Sequence, residues 1–305
     1  MSSNRKCLII VAGPTAVGKT SLSIKLAKRL NTEIISADSR QFFRELNIGT
    51  AKPSDDELAE VPHHMINNLS IHDEYNAGKF AEEVDELLEG LFETHDHVIM
   101  TGGSGMYIKA VCDGLDDMPD VPEDVRNRLN IKWEQGGSDE LLERLSQLDK
   151  NYFELVDKKN KQRVVRALEV IEVTGLPYSD FRNAKKPVEK PYEVLKIGLE
   201  REREELYSMI DLRMDQMIEK GLFEEAEQFY PHKNLNALQT VGYREIYGYM
   251  NGEYDKDEAI RLLKRNSRRY AKRQMTWFKR DDSFRWFMAP KLEDLIAYIE
   301  SKKAS

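Results

Sequence analysis

Short apolar runs alternate along this chain with stretches in which large apolar residues recur every three or four positions. Five runs read as strands: residues 7–12, 33–38, 97–101, 194–200 and 284–289. Between them Leu22, Leu26 and Leu30, and later Phe80, Val84, Leu87, Leu88 and Leu91, fall on single helix faces. Alternation of this kind predicts an α/β fold with a doubly wound parallel sheet buried on both faces. The interval between the third and fourth strands is too long for one crossover helix. From Met118-Pro-Asp-Val-Pro122 to Lys186-Pro187 and Lys190-Pro191 the chain is helical and charged, with proline-bearing segments at its ends. The pattern therefore predicts a core from residues 1–118 and 190–305, and an inserted all-helical domain over 119–189.

The first strand runs directly into Gly13-Pro14-Thr15-Ala16-Val17-Gly18-Lys19-Thr20, and a helical pattern follows at once. Strand, glycine-rich loop and helix in this order form a phosphate grip of the P-loop NTPase-like sheet. Glycines let backbone N–H groups turn toward a di- or triphosphate, Lys19 reaches its bridging oxygens, and the Thr20 hydroxyl can ligate Mg2+ at a helix N-terminus. The motif alone does not say which phosphate is held, or whether phosphate is transferred.

Ligands of such sheets bind beyond the C-terminal ends of the strands. Two further segments fall there, Asp38-Ser39-Arg40-Gln41 and Gly102-Gly-Ser104-Gly105. Asp38, closing a strand beside the loop, can act as a general base or hold Mg2+ through water. The third strand ends in Met-Thr-Gly-Gly without a carboxylate, which disfavours motor-like nucleotide hydrolysis. A small-metabolite kinase with Asp38 as base stays open on these residues.

Composition refines the partner more than the fold. Of 305 residues, 33% are charged and 40% hydrophobic, and no apolar run is long enough to span a bilayer, so a soluble, cytoplasmic protein is expected. The net charge of -8 argues at first against nucleic acid, yet the basic residues are segregated. Nine Lys or Arg and no acid lie between Arg261 and Arg280, and five lie between Lys158 and Arg166. Phosphate backbones respond to local fields, so these clusters, with Tyr270, Trp277 and Phe278 interleaved in the first, point to a polyanion. Cys7 and Cys112 are too few for a disulfide framework or a zinc site and read as buried thiols. Adjacent His63 and His64 cannot both face one ion from a regular element, and the acidic stretch over 80–93 reads as a solvated helix face.

Eight blocks in order, GPTAVGKT (13–20), ADSRQ (37–41), NIGTAKP (47–53), VPHH (61–64), GGSGMY (102–107), QRVVRALEV (162–170), VGYRE (241–245) and AKRQMTWF (271–278), extend over almost the whole chain. Through them the sequence resembles the tRNA dimethylallyltransferases, or tRNA isopentenyltransferases, of the bacterial type without a zinc finger. The resemblance implies a prenyltransferase that moves a dimethylallyl group from dimethylallyl diphosphate to N6 of the adenosine just 3′ of the anticodon. Diphosphate leaves, Mg2+ is the implied cofactor, and a monomer is expected. It further implies that Asp38 is the general base or hydrogen-bond acceptor, and that Lys19, Thr20 and Arg213 grip the diphosphate. Many relatives carry a second arginine where this chain has Met209, and most have Thr where it has Ser104. The tRNA contacts implied are Asp38, Ser39, Arg40, Gln41, Ser104, Arg126, Gln162, Arg163, Val164, Val165, Arg166, Gln239, Thr240, Val241, Gly242, Tyr243 and Arg244, with Lys272 and Arg273 adding backbone contacts. An adenylate isopentenyltransferase would have little use for the basic clusters or the inserted domain. A non-catalytic RNA-binding module would have no use for the loop and Asp38.

Overall fold

The computed structural model describes residues 6–116, 118–182 and 189–303. Its elements run β1 (Cys7–Ala12), α1 (Lys19–Leu30), β2 (Ile34–Ser36), α2 (Asp55–Glu60), β3 (His63–His64), α3 (Ala77–Thr94), β4 (His97–Gly102) and α4 (Gly105–Asp113). Helices α5 (Glu123–Lys132), α6 (Ser138–Leu148), α7 (Lys150–Leu155), α8 (Lys161–Thr174) and α9 (Tyr178–Phe181) follow. The chain then returns through β5 (Glu193–Glu200), α10 (Arg203–Glu219), α11 (Leu222–Gln228), α12 (Tyr243–Met250), α13 (Lys256–Phe278), β6 (Arg285–Met288) and α14 (Leu292–Lys303).

Six parallel strands form one sheet in the order β3-β2-β4-β1-β5-β6. Along β1, Leu8, Ile10 and Ala12 pack into one cluster with Phe42, Phe80 and Val84, while Ile9 and Val11 pack into another with Leu26, Ile197 and Ile210. Consecutive side chains thus enter cores on opposite faces, which is why the strand is apolar at every position. The P-loop type of α/β fold read from the sequence is the fold found.

Two details differ from the sequence reading. A sixth strand, β3, pairs His63 with Ile34 and His64 with Ile35; two polar residues carry no apolar run to betray them. Second, β2 ends at Ser36, and β4 lies between it and β1. Asp38 therefore stands in the turn after β2, one strand further from the phosphate loop than a closing position on a neighbouring strand would be.

The chain divides into two compact units, Met1–Cys112 with Glu189–Ser305, and Asp113–Val188. The first holds the sheet and a satellite core in which Tyr243, Ile246 and Leu263 pack with Leu46 and Leu222. The second is helical around Leu129, Leu141, Leu145, Val164 and Leu168. Its helix α8 is capped at both ends: Asn160 accepts the Arg163 N–H, and Gly175, at φ 71°, ends it in the left-handed conformation. The expected hinge at Lys186-Pro187 lies outside the described residues. Among them, no helix is long and apolar enough to cross a membrane. Cys112 is buried and Cys7 half-buried, and no disulfide joins them.

Candidate active site

The loop between β1 and α1 is shaped by close approach. A Cβ on Gly13 would stand 2.7 Å from the Leu199 carbonyl oxygen, and Gly18 precedes α1 at φ 100°, a conformation that disfavours any side chain. Lys19 opens the helix, and its ammonium folds back to donate to the carbonyls of Gly13 (3.0 Å) and Pro14 (2.8 Å). Burial, aided by the nearby Arg213 charge and opposed by Asp38, lowers the Lys19 pKa to about 8. Burial likewise lowers the Arg213 pKa, again opposed by Asp38. The Arg213 guanidinium, on α10, donates to Thr15 Oγ1 at 3.4 Å. Lys19, Arg213 and Asp38 are thus mutual neighbours, lining one cleft with Thr15 and Thr20. Two cations crowded beside one carboxylate leave a positive excess, which suits a multivalent anion.

Asp38 is fixed by its own turn. Its Oδ1 accepts the Arg40 amide N–H at 3.0 Å, and no other hydrogen bond to its side chain occurs among the described residues. The second oxygen is left to the cleft. Beside it the Ser104 hydroxyl accepts the Ser39 N–H (2.9 Å) and donates to Ser39 Oγ (3.2 Å), tying the turn after β2 to the loop after β4. The Arg40 guanidinium donates to the Asn236 carbonyl at 2.8 Å, and burial lowers its pKa. Thr240, Val241 and Gly242 complete a wall of the cleft, while Gln239 and Arg244 are exposed.

Several residues expected to touch RNA are committed elsewhere. Tyr243 is 0% exposed; its ring packs on Gly49 and its hydroxyl donates to Glu225 at 2.6 Å. Val164 and Val165 belong to the core of the helical unit. Gln41 is buried yet lines the cleft beside Asp38, its amide accepting from Ser36 and donating to the Thr50 and Ala51 carbonyls. The Tyr243, Val164 and Val165 side chains pack the interior, and Gln41 borders the cleft. On the same helical unit, Gln162 and Arg163 are exposed, and Arg126 and Arg166 converge on buried Glu169 at 3.4 and 3.2 Å.

The basic stretch over 261–280 is less charged in space than in sequence. Arg261 pairs with Glu258, Lys264 with Asp215, Arg268 with Asp211 and Lys279 with Glu200. Lys272 and Arg273 are exposed, the latter with its guanidinium 5.7 Å from the Tyr270 ring centroid.

Among the cleft side chains that the sequence reading does not place in the site are Tyr270, His63 and Gln274. Tyr270, 36% exposed, turns its hydroxyl to Asp38 and Arg40, and desolvation there, then the Asp38 charge, push its phenol up to about 12. His63, set aside as a metal ligand, lines the cleft through its place on β3; it donates from Nδ1 to the Val61 carbonyl (2.7 Å), and burial lowers its pKa. Its neighbour His64 turns to Glu33 at 2.6 Å. Gln274 on α13 reaches the phosphate loop itself. Its signal was legible: Ala271, Gln274 and Phe278 share a buried helix face, on which an amide is out of place.

The chain is similar to known proteins along nearly its whole length. Residues 41–281 match the family model described as IPP transferase. The chain is 48% identical over 302 residues to the tRNA dimethylallyltransferase of Cytophaga hutchinsonii, covering 99% of each chain. It is 49% identical over 296 residues to that of Christiangramia forsetii, covering 97% of this chain and 98% of the relative. Among solved structures, the tRNA isopentenylpyrophosphate transferase of Bacillus halodurans superposes with a TM-score of 0.73 at 36% identity, covering 98% and 97% of the two chains. A eukaryotic dimethylallyltransferase acting on tRNA superposes with a TM-score of 0.77 at 26% identity, covering 94% of this chain and 75% of its own.

Proposed function

The chain belongs to the IPP transferase family, and from that membership we infer that it is a tRNA dimethylallyltransferase, a prenyltransferase that modifies tRNA. The donor is dimethylallyl diphosphate, and the acceptor is N6 of the adenosine 3′-adjacent to the anticodon. One observation carries the assignment of roles: Asp38, Lys19 and Arg213 meet in a single cleft behind the phosphate loop.

In the reaction the allylic C1–O bond breaks, the C1–N6 bond forms and N6 loses a proton. Negative charge grows on the departing diphosphate, so donors fixed in advance lower the barrier. The loop amides, Lys19 and Arg213 meet this need; Lys19 now bonds to its own loop and exchanges those carbonyls for phosphate oxygens. The lone pair of an aromatic amine is delocalised into the ring, and Asp38 restores its nucleophilicity by accepting the proton through the oxygen not held by Arg40. The paired hydroxyls of Ser39 and Ser104 border the place where the base must lie. A base stacked in the anticodon loop is out of reach, so it must be extruded into the cleft.

Thr20 lines the same cleft and offers a hard oxygen donor, leaving Asp38 to take the proton. The hydroxyl fits Mg2+, which is commonly held by one or two protein ligands and completes its shell with water and phosphate oxygens. When bound, it would neutralise charge on the diphosphate. For contact with tRNA, the helical unit supplies Arg126, Gln162, Arg163 and Arg166 and the sheet unit supplies Lys272 and Arg273 of α13, all exposed or half-exposed polar and cationic groups.

The test is incubation with labelled dimethylallyl diphosphate and, in parallel, unmodified tRNA or AMP. Label is expected in tRNA. Label in AMP alone would make this an adenylate prenyltransferase, and phosphate transfer from ATP to a metabolite would make it a kinase.

A further inference from the structure

Gln274 is 7% exposed, on the face of α13 that otherwise turns Ala271 and Phe278 to the core. Its Oε1 accepts the Thr15 backbone N–H at 2.9 Å, and its Nε2 donates to the Gly103 carbonyl at 3.0 Å. The partners fix the orientation of the amide, since one is solely a donor and the other solely an acceptor. One side chain thus ties the phosphate loop after β1 to the glycine loop after β4. The fit is tight from the other side too: a Cβ on Gly103 would stand 2.2 Å from Gln274 Nε2.

Thr15 is a crossing point. Its N–H is held by Gln274 of α13 and its hydroxyl receives Arg213 of α10. The same two helices are pinned together by Arg268 to Asp211 and Lys264 to Asp215, and those aspartates stand two residues either side of Arg213. The relative position of the loop and of Arg213 is therefore set through α13.

We propose that Gln274 is a positioning residue for the diphosphate grip, holding the phosphate loop in register with Arg213 and the Gly103 loop. The role rests on the prenyl-transfer reading above. An apolar isostere leaves the Thr15 N–H and the Gly103 carbonyl unpaired, a loss that corresponds to about tenfold to a hundredfold in a quantity that depends on their placement. A glutamate keeps the acceptor for Thr15 but sets a carboxylate oxygen against the Gly103 carbonyl. Protonation of that carboxyl restores a donor; burial, the Gly103 carbonyl and the Asp38 charge raise its pKa, while the Lys19 and Arg213 cations and the Tyr270 phenol in the same cleft oppose the rise.

The experiment compares wild type with Gln274→Met and Gln274→Glu in four readings: calorimetric affinity for inorganic diphosphate, kcat and KM for dimethylallyl diphosphate, tRNA affinity, and the pH profile. Gln274→Met is expected to lower diphosphate affinity and kcat/KM for the allylic substrate by about tenfold or more, with tRNA affinity within a factor of about two. Gln274→Glu is expected to approach wild type as pH falls, measured as the ratio of the two rates. Wild-type diphosphate affinity in Gln274→Met, a parallel loss of tRNA affinity, or a pH-independent ratio for Gln274→Glu would each overturn the role. A wild-type enzyme that binds diphosphate but prenylates no tRNA would instead overturn the reading of the reaction.

Discussion

Gly105 and Trp277 touch so closely that a methyl group on the glycine would lie 2.1 Å from the indole Cδ1. Gly102 shows the same economy, its missing Cβ lying 2.1 Å from the Ala37 carbonyl oxygen. The glycine loop after β4 therefore serves first to let α13 and the turn after β2 close upon it. Gly105→Ala should destabilise the protein by about 1–3 kcal/mol through overpacking. Replacing Trp277 by Leu in the Gly105→Ala background should make room, so that the double variant loses less than the two single losses added together. Thermal melts of the four proteins measure this coupling, and strict additivity would refute the contact.

What the sequence showed was what is local in it. The phosphate loop lies within eight consecutive residues, and its strand and helix announce themselves by period, so its position and purpose could both be read. Asp38 was identified, but its strand was set one place too close, because the order of strands across a sheet leaves no local trace. How much of the charge of 261–280 is free is hidden for a similar reason: Asp211, Asp215 and Glu200, which neutralise part of it, lie dozens of residues away. Tyr243, Val164 and Val165 stood in blocks that mix contact residues with packing residues, and only burial separates the two.

Asp38→Asn keeps the hydrogen bond from the Arg40 amide and removes the base. Turnover should fall by about a hundredfold to ten-thousandfold, while tRNA affinity changes little. A filter-binding isotherm beside a single-turnover rate distinguishes this from a binding defect. Equal losses in both would assign Asp38 to recognition instead.

Glu225 accepts the backbone N–H groups of Asn47, Ile48 and Gly49 at 3.0, 2.8 and 2.8 Å, besides the Tyr243 hydroxyl. Hydrogen bonds to a carboxylate are strong, and their loss leaves several donors unpaired. Glu225→Ala should therefore cost about 2–4 kcal/mol of stability and expose the segment around Gly49 to proteolysis before the rest. Global unfolding without an early cut near Gly49 would show that the carboxylate is not a local anchor.

The cations of α13 should separate into two classes. Lys272→Ala with Arg273→Ala should weaken tRNA binding and reduce the slope of log K against log salt by about one to two, one for each phosphate no longer neutralised, with little change in melting temperature. Arg268→Ala should lower the melting temperature, because it strands Asp211, and should leave the salt slope alone. If the salt slope responds to Arg268 and not to the exposed pair, the helix meets RNA by its other face.

Lys19 should give diphosphate affinity and stability opposite responses to pH. Its pKa falls from 10.5 to about 8 on folding, so the free enzyme loses this cation as pH rises through 8. Affinity for inorganic diphosphate should then weaken, by at most about tenfold per pH unit, relative to Lys19→Met, whose own profile carries only the ionisation of the ligand. Stability without ligand follows the other sign. Below about pH 8 the lysine is protonated in both states and the folded protein bears the full cost of burying its charge. Between about 8 and 10.5 the unfolded chain binds more protons than the folded one, so stability rises with pH over that interval, and Lys19→Met should lack the rise. Calorimetry with inorganic diphosphate and denaturant titrations at several pH values read the two effects independently. Profiles for wild type and Lys19→Met that run parallel in both experiments would mean that the ammonium is not held in the low-dielectric contact with Gly13, Pro14 and Arg213 on which the grip depends.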